Sequence, residues 1–245
     1  MDRRKQITQI ATYQHIKLIR VGRFTDPHIV NNMSIRTLSV FSILTTSLIM
    51  VSCSMHSRQA SGFTETELAM IHEADSIMRV LTIDNDEDSA VLRAKSSDLS
   101  IEALRSEDYK RLTELMLATV THPSQDGVGI AAPQVGLNRR VVAVQRFDKE
   151  EVLPDGSEGS PFEVYPNIRI VSMSEELEPG PEGCLSVPGK SGDVMRAREI
   201  VIEYADVTRL DEEDYMVRET VYGFTAVIFQ HEIDHLDGVL YIDRL

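Results

Sequence analysis

The chain has 245 residues, of which 42% are hydrophobic and 26% are charged, so it is long enough for one globular domain with extensions and overall disorder is not expected. Its charge is uneven, because residues 1–53 hold seven Lys and Arg against two Asp and Glu, whereas the remainder holds 18 against 37. The main body is therefore strongly acidic, and an acidic surface repels the phosphates of nucleic acids. Direct nucleic-acid binding is not expected.

The amino-terminal part contains a segment, 37–52, that has no charged residue. This segment is too short for a comfortable membrane-spanning helix and has the dimensions of the apolar region of a signal peptide. Cys53 follows it directly and resembles the lipid-attachment cysteine of bacterial lipoproteins. We interpret 1–53 as an extension and leave two alternatives open: a lipid anchor in the bacterial cell envelope, or a cytoplasmic protein with a hydrophobic tail whose true start is Met1 or Met33.

Helices are predicted on both sides of a polar stretch that precedes the main body. Thr64 opens a capping box followed by apolar residues at helical spacing, which predicts a helix over 65–79 within a linker and helical extension at 54–79. Residues 80–100 are mixed and polar, and we predict a short strand and an extended loop there. A second amphipathic helix is predicted over 106–121.

The middle of the chain is rich in β-branched residues, and apolar and polar residues alternate there, which is typical of strands. The predicted strands cover 140–145, 162–173, 194–204 and 215–221. Turn-forming residues at 153–159 and 178–183 separate them. Strands between helices indicate an α+β fold, in which antiparallel or mixed strands pack around a buried helix near the carboxyl end.

That helix is predicted from residues 230–238, which read QHEIDHLDG and contain an HExxH element. Positions four apart on a helix lie one turn above each other, so the imidazoles of His231 and His235 can reach one metal ion, with Glu232 beside them. The preceding residues, 224–229, are almost continuously apolar, which predicts a helix buried on most sides. A buried, unpartnered carboxylate is unfavourable, and a divalent cation removes that penalty. The segment therefore predicts a metal site.

Three segments together resemble the signature motifs of the peptide deformylases. They are GVGIAAPQVG at 127–136, EGCLSVPG at 182–189 and the HExxH segment, in the order of that family. The resemblance extends from about residue 91 to the carboxyl end. It implies a deformylase-like catalytic domain at 80–245 that removes the N-formyl group from the formyl-methionine of newly made polypeptides. The products would be formate and a free amino terminus, a step of N-terminal methionine processing in protein biosynthesis.

The second of these segments supplies a third ligand for the two histidines. Once Cys53 is set aside, Cys184 is a lone thiol near metal histidines and therefore a ligand candidate. A thiolate with the imidazoles of His231 and His235 leaves a fourth position open, which is the arrangement of catalytic rather than structural sites. These ligand types suit zinc, iron and cobalt alike. The resemblance implies Fe²⁺ as the physiological ion, which Zn²⁺, Ni²⁺ or Co²⁺ can replace.

The resemblance also implies roles for residues around the metal. Gln134 and the backbone N–H of Leu185 would hold a developing oxyanion, and Glu232 would take a proton from the attacking water and return it to the leaving amine. Gly129 has no side chain and would let the substrate backbone approach closely. An apolar pocket is expected for the methionine side chain. Its candidates, for each of which plain core packing is an equal alternative, are Val128, Phe224, Val227 and Ile228.

Two other functions compete with deformylation of nascent chains at the ribosome. A zinc endopeptidase also uses HExxH but needs a third ligand downstream of His235, and none of the ten remaining residues is His or Glu. The other is a lipid-anchored envelope paralogue that acts on other formyl peptides or only binds a metal or a partner. Cys53 motivates it, because an exported protein would not meet nascent chains. The presence of Gln134, Cys184 and Glu232 argues against lost chemistry.

Overall fold

The computed structural model describes residues 62–125, 127–152 and 158–245. Apart from Val152 and Glu158, these residues belong to one compact unit. The signal-like segment at 37–52, Cys53 and most of the predicted turn at 153–159 lie outside the described residues. No helix in the described part of the chain is both long and apolar enough to cross a membrane.

The described α-helices are α1 (Glu65–Glu73), α2 (Asp86–Leu92), α3 (Ile101–Leu104), α4 (Glu107–Val120) and α5 (Gly223–Leu236). The prediction over 106–121 is confirmed by α4, and the capping box is confirmed at α1, where the Thr64 hydroxyl accepts from the Glu67 N–H at 3.2 Å. However, α1 is shorter than predicted. The backbone is extended at Ala74, and the Arg111 side chain donates to the carbonyls of Ile71 and Ala74 at 2.8 and 2.7 Å.

The prediction of a strand and a loop for 80–100 is wrong where α2 forms. The Asn85 side chain caps this helix by accepting from the Asp88 N–H at 2.9 Å, and the first turn is acidic. Carboxylates there are favoured by the partial positive charge of a helix amino terminus. Leu92 at the other end is fully buried. A capped start and one buried apolar residue therefore stabilise a helix in a segment whose composition is mostly polar.

The described strands are β1 (Gly129–Ala131), β2 (Val141–Gln145), β3 (Glu151–Val152), β4 (Glu158–Gly159), β5 (Phe162–Pro166), β6 (Arg169–Met173), β7 (Leu177–Cys184), β8 (Val187–Ala197), β9 (Glu199–Ala205) and β10 (Met216–Tyr222). One antiparallel sheet has the order β1-β2-β5 and another has the order β10-β9-β6. An antiparallel hairpin is formed by β7 and β8, and β3 pairs with β4. The predicted α+β fold with antiparallel strands is confirmed.

Two of the predicted strands are interrupted. The one at 162–173 is divided into β5 and β6 by Asn167, whose φ of 54° is left-handed, a conformation that Asn adopts more readily than most residues. The Asn167 side chain bonds both the N–H and the carbonyl of Leu99, each at 2.8 Å. The prediction at 194–204 covers the end of β8 and most of β9, with Arg198 between them.

The predicted turn at 178–183 is wrong, because these residues lie in β7. Pro179 and Pro181 cannot donate a backbone hydrogen bond, but both strands of a two-stranded hairpin are edges, where proline is tolerated. The register runs up to Cys184, which is opposite Val187. The hairpin therefore places Cys184 directly before the turn that joins β7 to β8.

The HExxH helix, α5, is buried against the strands. Ala226, Phe229, Ile233 and Leu236 share one hydrophobic core with residues of β2, β5 and β9. A second core joins α1 and α4 to β1 and β2. The predicted burial of the carboxy-proximal helix is confirmed, and this packing holds the polar side chains of α5 in fixed positions.

The end of α5 depends on a glycine. Gly238 has a φ of +73°, and a Cβ there would overlap the backbone carbonyl of Arg93. We expect Gly238→Ala to lower the free energy of unfolding by more than the roughly 1–2 kcal/mol that a left-handed alanine costs, because the overlap adds to the strain. Urea unfolding would measure it, with Gly189→Ala as the control. Gly189 has a φ of +71° but no atom within 4 Å of a Cβ, so equal losses in the two variants would contradict the overlap.

Candidate active site

Two elements bring three potential metal ligands together. His231 and His235 lie one turn apart on α5, and Cys184 lies at the end of β7. Their ligand atoms are all within 4.8 Å of one another, and Sγ of Cys184 is 3.2 Å from Nε2 of His235. Burial lowers the pKa of His235 well below its usual value, which keeps its ring neutral, the form that binds metals. The three predicted ligands therefore meet at one point.

A buried ion pair orients His231. Its Nδ1 is 2.7 Å from a carboxylate oxygen of Glu182, which leaves Nε2 free to act as a ligand. Arg196 donates to both oxygens of Glu182, at 2.7 and 2.9 Å, and also to Asp234 at 2.6 Å. Burial disfavours the charge on Glu182, but Arg196 and His231 hold its pKa at about 2. Side-chain exposures of 5% for Glu182 and 4% for Arg196 show that this pair is buried.

A hydrogen bond from the backbone orients the Gln134 side chain toward the three ligands. It lies in the 3₁₀ helix that follows β1, and its side-chain oxygen accepts from the Ala131 N–H at 2.8 Å. Its NH₂ group therefore faces Sγ of Cys184 at 3.5 Å and Oγ of Ser186 at 3.3 Å. The Ser186 N–H also donates to that sulfur at 3.4 Å. These two donors therefore converge on the sulfur that would bind a metal ion.

Glu232 lies on the buried side of α5 and is only 4% exposed. Within the described part of the chain, no group hydrogen-bonds its Oε2. Burial raises the pKa of Glu232 to about 7, although His231 opposes the shift. A carboxylate with this pKa can both take and return a proton near neutral pH.

Gly129 makes room for that carboxylate. A Cβ at this position would lie 2.5 Å from Oε1 of Glu232 and 2.9 Å from its Cδ and Cγ. The sequence predicts a different use of Gly129, namely close approach of the substrate backbone. The structure adds that the absence of a side chain at 129 is also required by Glu232.

Cys184 and His231 line a cavity of about 430 Å³, within the size range of small-ligand sites. All of the predicted site residues except His235 line this cavity. The lining ones are Val128, Gly129, Gln134, Cys184, Leu185, Phe224, Val227, Ile228, His231 and Glu232. His235 is not among the lining residues and is 1% exposed. Ile228 also belongs to the core, whereas Val128 and Phe224 are 37% and 57% exposed, so core packing does not account for these two.

The donor set fits a metal ion. Burial disfavours a charge on His231, but Cys184 and Glu182 raise its pKa to about 10, so these groups favour a cation at the ring. A metal ion at Nε2 replaces the proton there. One sulfur and two imidazole nitrogens within 4.8 Å, next to an unpaired carboxylate oxygen of Glu232, are the surroundings that a divalent cation with an open position requires.

Two contributors to the site were not predicted as such. Ser186 is fully buried and bonds both Gln134 and Cys184. The other is Glu182, which orients His231, a role that the sequence alone does not indicate. Both lie in EGCLSVPG, so their closeness to Cys184 in the sequence is the one signal that could have indicated them.

A family model described as polypeptide deformylase matches residues 69–245, so the match begins upstream of the position near 91 that the motifs indicate. A peptide deformylase from Leptospira biflexa serovar Patoc is 36% identical over 170 residues, which cover 69% of this chain and 88% of that protein. One from Thermus thermophilus is 44% identical over 144 residues, which cover 56% of this chain and 69% of that protein.

Solved structures show the same likeness. The crystal structure of a class I type b peptide deformylase from Acinetobacter baumannii with bound Met-Ala-Ser has a TM-score of 0.57 and 34% identity, and the match covers 69% of this chain and 98% of that one. A plant peptide deformylase has a TM-score of 0.55 and 32% identity, with 69% of this chain and 80% of that one covered.

Proposed function

The chain belongs to the peptide deformylase family, the metal-dependent hydrolases that remove the formyl group from N-terminal methionine, and we propose that Cys184, His231 and His235 hold its metal ion. The observation that carries this proposal is the meeting of one thiol and two imidazoles beside the buried Glu232, at the wall of a partly apolar cavity. The family supports deformylation. It does not support the alternative of an envelope paralogue that acts on other formyl peptides or only binds a metal or a partner.

We propose Fe²⁺ as the bound ion. The support for iron is the resemblance of the three sequence motifs to those of the peptide deformylases. The ligand types alone do not decide the ion, because a cysteine with two histidines also accepts Zn²⁺, Ni²⁺ and Co²⁺. When bound, such an ion polarises a carbonyl group and lowers the pKa of water. Glu182 would set the ring orientation of His231 toward the ion, as outer partners of metal histidines do.

The chain's own side chains would bind the formyl group and move one proton. The amide of Gln134, whose orientation the Ala131 N–H fixes, donates to the formyl oxygen as negative charge develops there. The backbone N–H of Leu185 is the second donor. Glu232 takes a proton from the attacking water and returns it to the amine nitrogen, so that the C–N bond breaks and formate and a free amino terminus result.

The substrate is the formyl-methionine end of a polypeptide, which a deformylase meets on nascent chains at the ribosome. The methionine side chain would lie against Val227 and Ile228, which are successive residues of α5 at the cavity wall. An apolar, unbranched side chain fills such a pocket without leaving a buried polar group unpaired.

Formate release from formyl-Met-Ala-Ser tests the function and the metal together. The chain would be prepared without oxygen and loaded separately with Fe²⁺, Zn²⁺, Ni²⁺ or Co²⁺. We expect the iron form to release formate and to lose activity in air. An iron-loaded chain that releases no formate would overturn the function, and a zinc form that is faster than the iron form would overturn the choice of metal.

Gly129→Ala is expected to lower kcat for formate release by about 10²-fold. The new methyl group would push the Glu232 carboxylate away by about 1 Å, and a shift of this size in a catalytic group costs about that factor. Gly180→Ala in β7 is the control, because a Cβ there meets no atom within 4 Å. A Gly129→Ala variant as fast as Gly180→Ala would show that the position of Glu232 does not limit the rate.

Where the protein acts depends on residues 1–53, which lie outside the described part of the chain. The uncharged segment at 37–52 and Cys53 support a lipid anchor, whereas the substrate supports a cytoplasmic protein. Mass spectrometry of the mature amino terminus distinguishes them. A lipidated Cys53 at the terminus would place the chain in the cell envelope, and an intact start at Met1 or Met33 would remove the support for an anchor.

A further inference from the structure

A second cleft lies outside the active-site cavity. It is lined by Ser96, Asp98, Arg140 and Arg169, and we call it the arginine cleft. Its volume of about 430 Å³ is within the size range of small-ligand sites. None of its four lining residues lines the active-site cavity, and the three sequence motifs and the proposed reaction give it no role.

Backbone hydrogen bonds hold the walls of the arginine cleft together. The Ser96 N–H donates to the Leu236 carbonyl, at the end of α5, at 2.8 Å. The Arg140 N–H donates to the Ser97 carbonyl at 2.9 Å, and the Arg140 carbonyl accepts from the Asn167 N–H at 2.6 Å. Segments that are distant in the sequence are thus fixed against one another. A ligand would therefore lose little free energy to ordering the cleft.

Several hydrogen-bonding groups of the cleft have no partner. Nε of Arg169 and Oγ of Ser96 are buried, and neither has a partner within the described part of the chain. Arg140 donates from Nε to the Ile168 carbonyl and from Nη1 to Asp237, each at 2.9 Å. Its Nη2 has no acceptor among the described residues. Since a guanidinium group only donates, the partners that these two arginines lack are acceptors.

The charge of the cleft favours an anion. Its lining holds two guanidinium groups and one carboxylate, that of Asp98, which accepts from Arg169 at 2.8 Å. Asp98 and Asp237, the partners of the two arginines, are 48% and 51% exposed, so water screens their negative charges. Arg140 is only 13% exposed, and a charge held away from water acts more strongly. Lys95, on the same segment as Asp98, is exposed and adds positive charge.

We propose that the arginine cleft binds a phosphate group, either as the free ion or as part of a small phosphorylated molecule. The planar, forked donors of arginine match the oxygens of phosphate. A phosphate has enough oxygens to accept from Arg140, Arg169 and Ser96 together, which a single water molecule cannot do. A nucleic acid is a poorer occupant, because residues 54–245 hold 18 Lys and Arg against 37 Asp and Glu. The cleft is separate from the active site, so this proposal does not depend on the proposed function.

The test is calorimetric titration of the iron-loaded full chain with inorganic phosphate and, separately, with glycerol 3-phosphate. We expect saturable binding. Arg169→Gln should lower the affinity by roughly 10- to 100-fold, because it removes a charged donor. Arg198→Gln is the matched control and should bind as the wild type does. Arg198 is 56% exposed and pairs with Glu178 at 2.9 Å, and it does not line the cleft.

A second variant is expected to bind more tightly than the wild type. Asp98→Asn removes the one carboxylate of the lining, which also competes with the ligand for Arg169. The affinity should rise by about 2- to 5-fold, the range that an exposed charge pair supplies. Misfolding cannot produce such a gain, so an Asp98→Asn chain that binds phosphate no more tightly than the wild type would contradict the position of the anion.

The two probes and the variants separate the remaining outcomes. Tighter binding of glycerol 3-phosphate would support a phosphorylated molecule as the ligand, and tighter binding of inorganic phosphate would support the free ion. Equal affinity in Arg169→Gln and the wild type would overturn the site, because the phosphate would then lie elsewhere, for example at the metal ion. No binding of either probe at about 10 mM would also overturn it. Equal unfolding midpoints of the wild type and Arg169→Gln would show that lost affinity does not come from misfolding.

Discussion

Glu232→Gln is expected to lower kcat for formate release by about 10²–10⁴-fold, the range for loss of general acid–base catalysis. Glutamine keeps the shape of the side chain, but its amide cannot take a proton from water and return it to the amine. Glu232 is not one of the three residues whose ligand atoms converge, so the metal content should stay at the wild-type value. Formate assays and elemental analysis of the same iron-loaded sample would measure both quantities.

The matched control for this variant is Glu178→Gln. Glu178 is an exposed carboxylate on β7 that pairs with Arg198 at 2.9 Å, and exposed pairs of this kind contribute little to stability. It should release formate at the wild-type rate. A Glu232→Gln chain that kept its metal and more than a tenth of the wild-type rate would contradict proton transfer by Glu232.

Cys184→Ala is expected to lower the affinity for the metal by more than the roughly 10–100-fold that loss of an outer partner costs, because it removes a ligand. Activity should fall with metal content. Since a ligand that binds only the folded chain raises the melting temperature, Fe²⁺ should stabilise the wild type and not the variant. Calorimetry with and without the ion would measure this difference.

Ser186→Ala provides the comparison for the cysteine variant. It removes the hydroxyl that accepts from Gln134 but keeps the backbone N–H that donates to Cys184 and all three ligand residues. It should therefore retain the metal. A Cys184→Ala chain that bound Fe²⁺ as tightly as Ser186→Ala would show that the thiol is not a ligand.

The part of the site on α5 is predictable from sequence because it is local. His231, Glu232 and His235 lie within five residues, and the period of a helix decides which of them share a face. The apolar run before them predicts a buried helix, and in the structure α5 packs against β2 and β9 in one hydrophobic core. Cys184 is nearly fifty residues away in the sequence. Its position beside the histidines can be predicted only because three motifs resemble those of the peptide deformylases and occur in the same order.

Other features depend on contacts between distant segments, which no local pattern reveals. Glu182 and His231 are 49 residues apart, and Gln134 and Ser186 are 52 apart. The composition of β7 is typical of a turn, and pairing with β8 overrides it. Asn167 breaks a strand because its side chain bonds Leu99, 68 residues earlier. Tertiary contacts decide each of these features.

The central claim is that Cys184, His231 and His235 hold one ion that serves deformylation. It is tested most directly by titrating the metal-free full chain with Fe²⁺ under anaerobic conditions and measuring formate release from formyl-Met-Ala-Ser. We predict that the rate rises with added iron and stops rising at one ion per chain, and that Cys184→Ala stays near zero at every ratio. Formate release that needs no metal, or that Cys184→Ala retains, would contradict the claim.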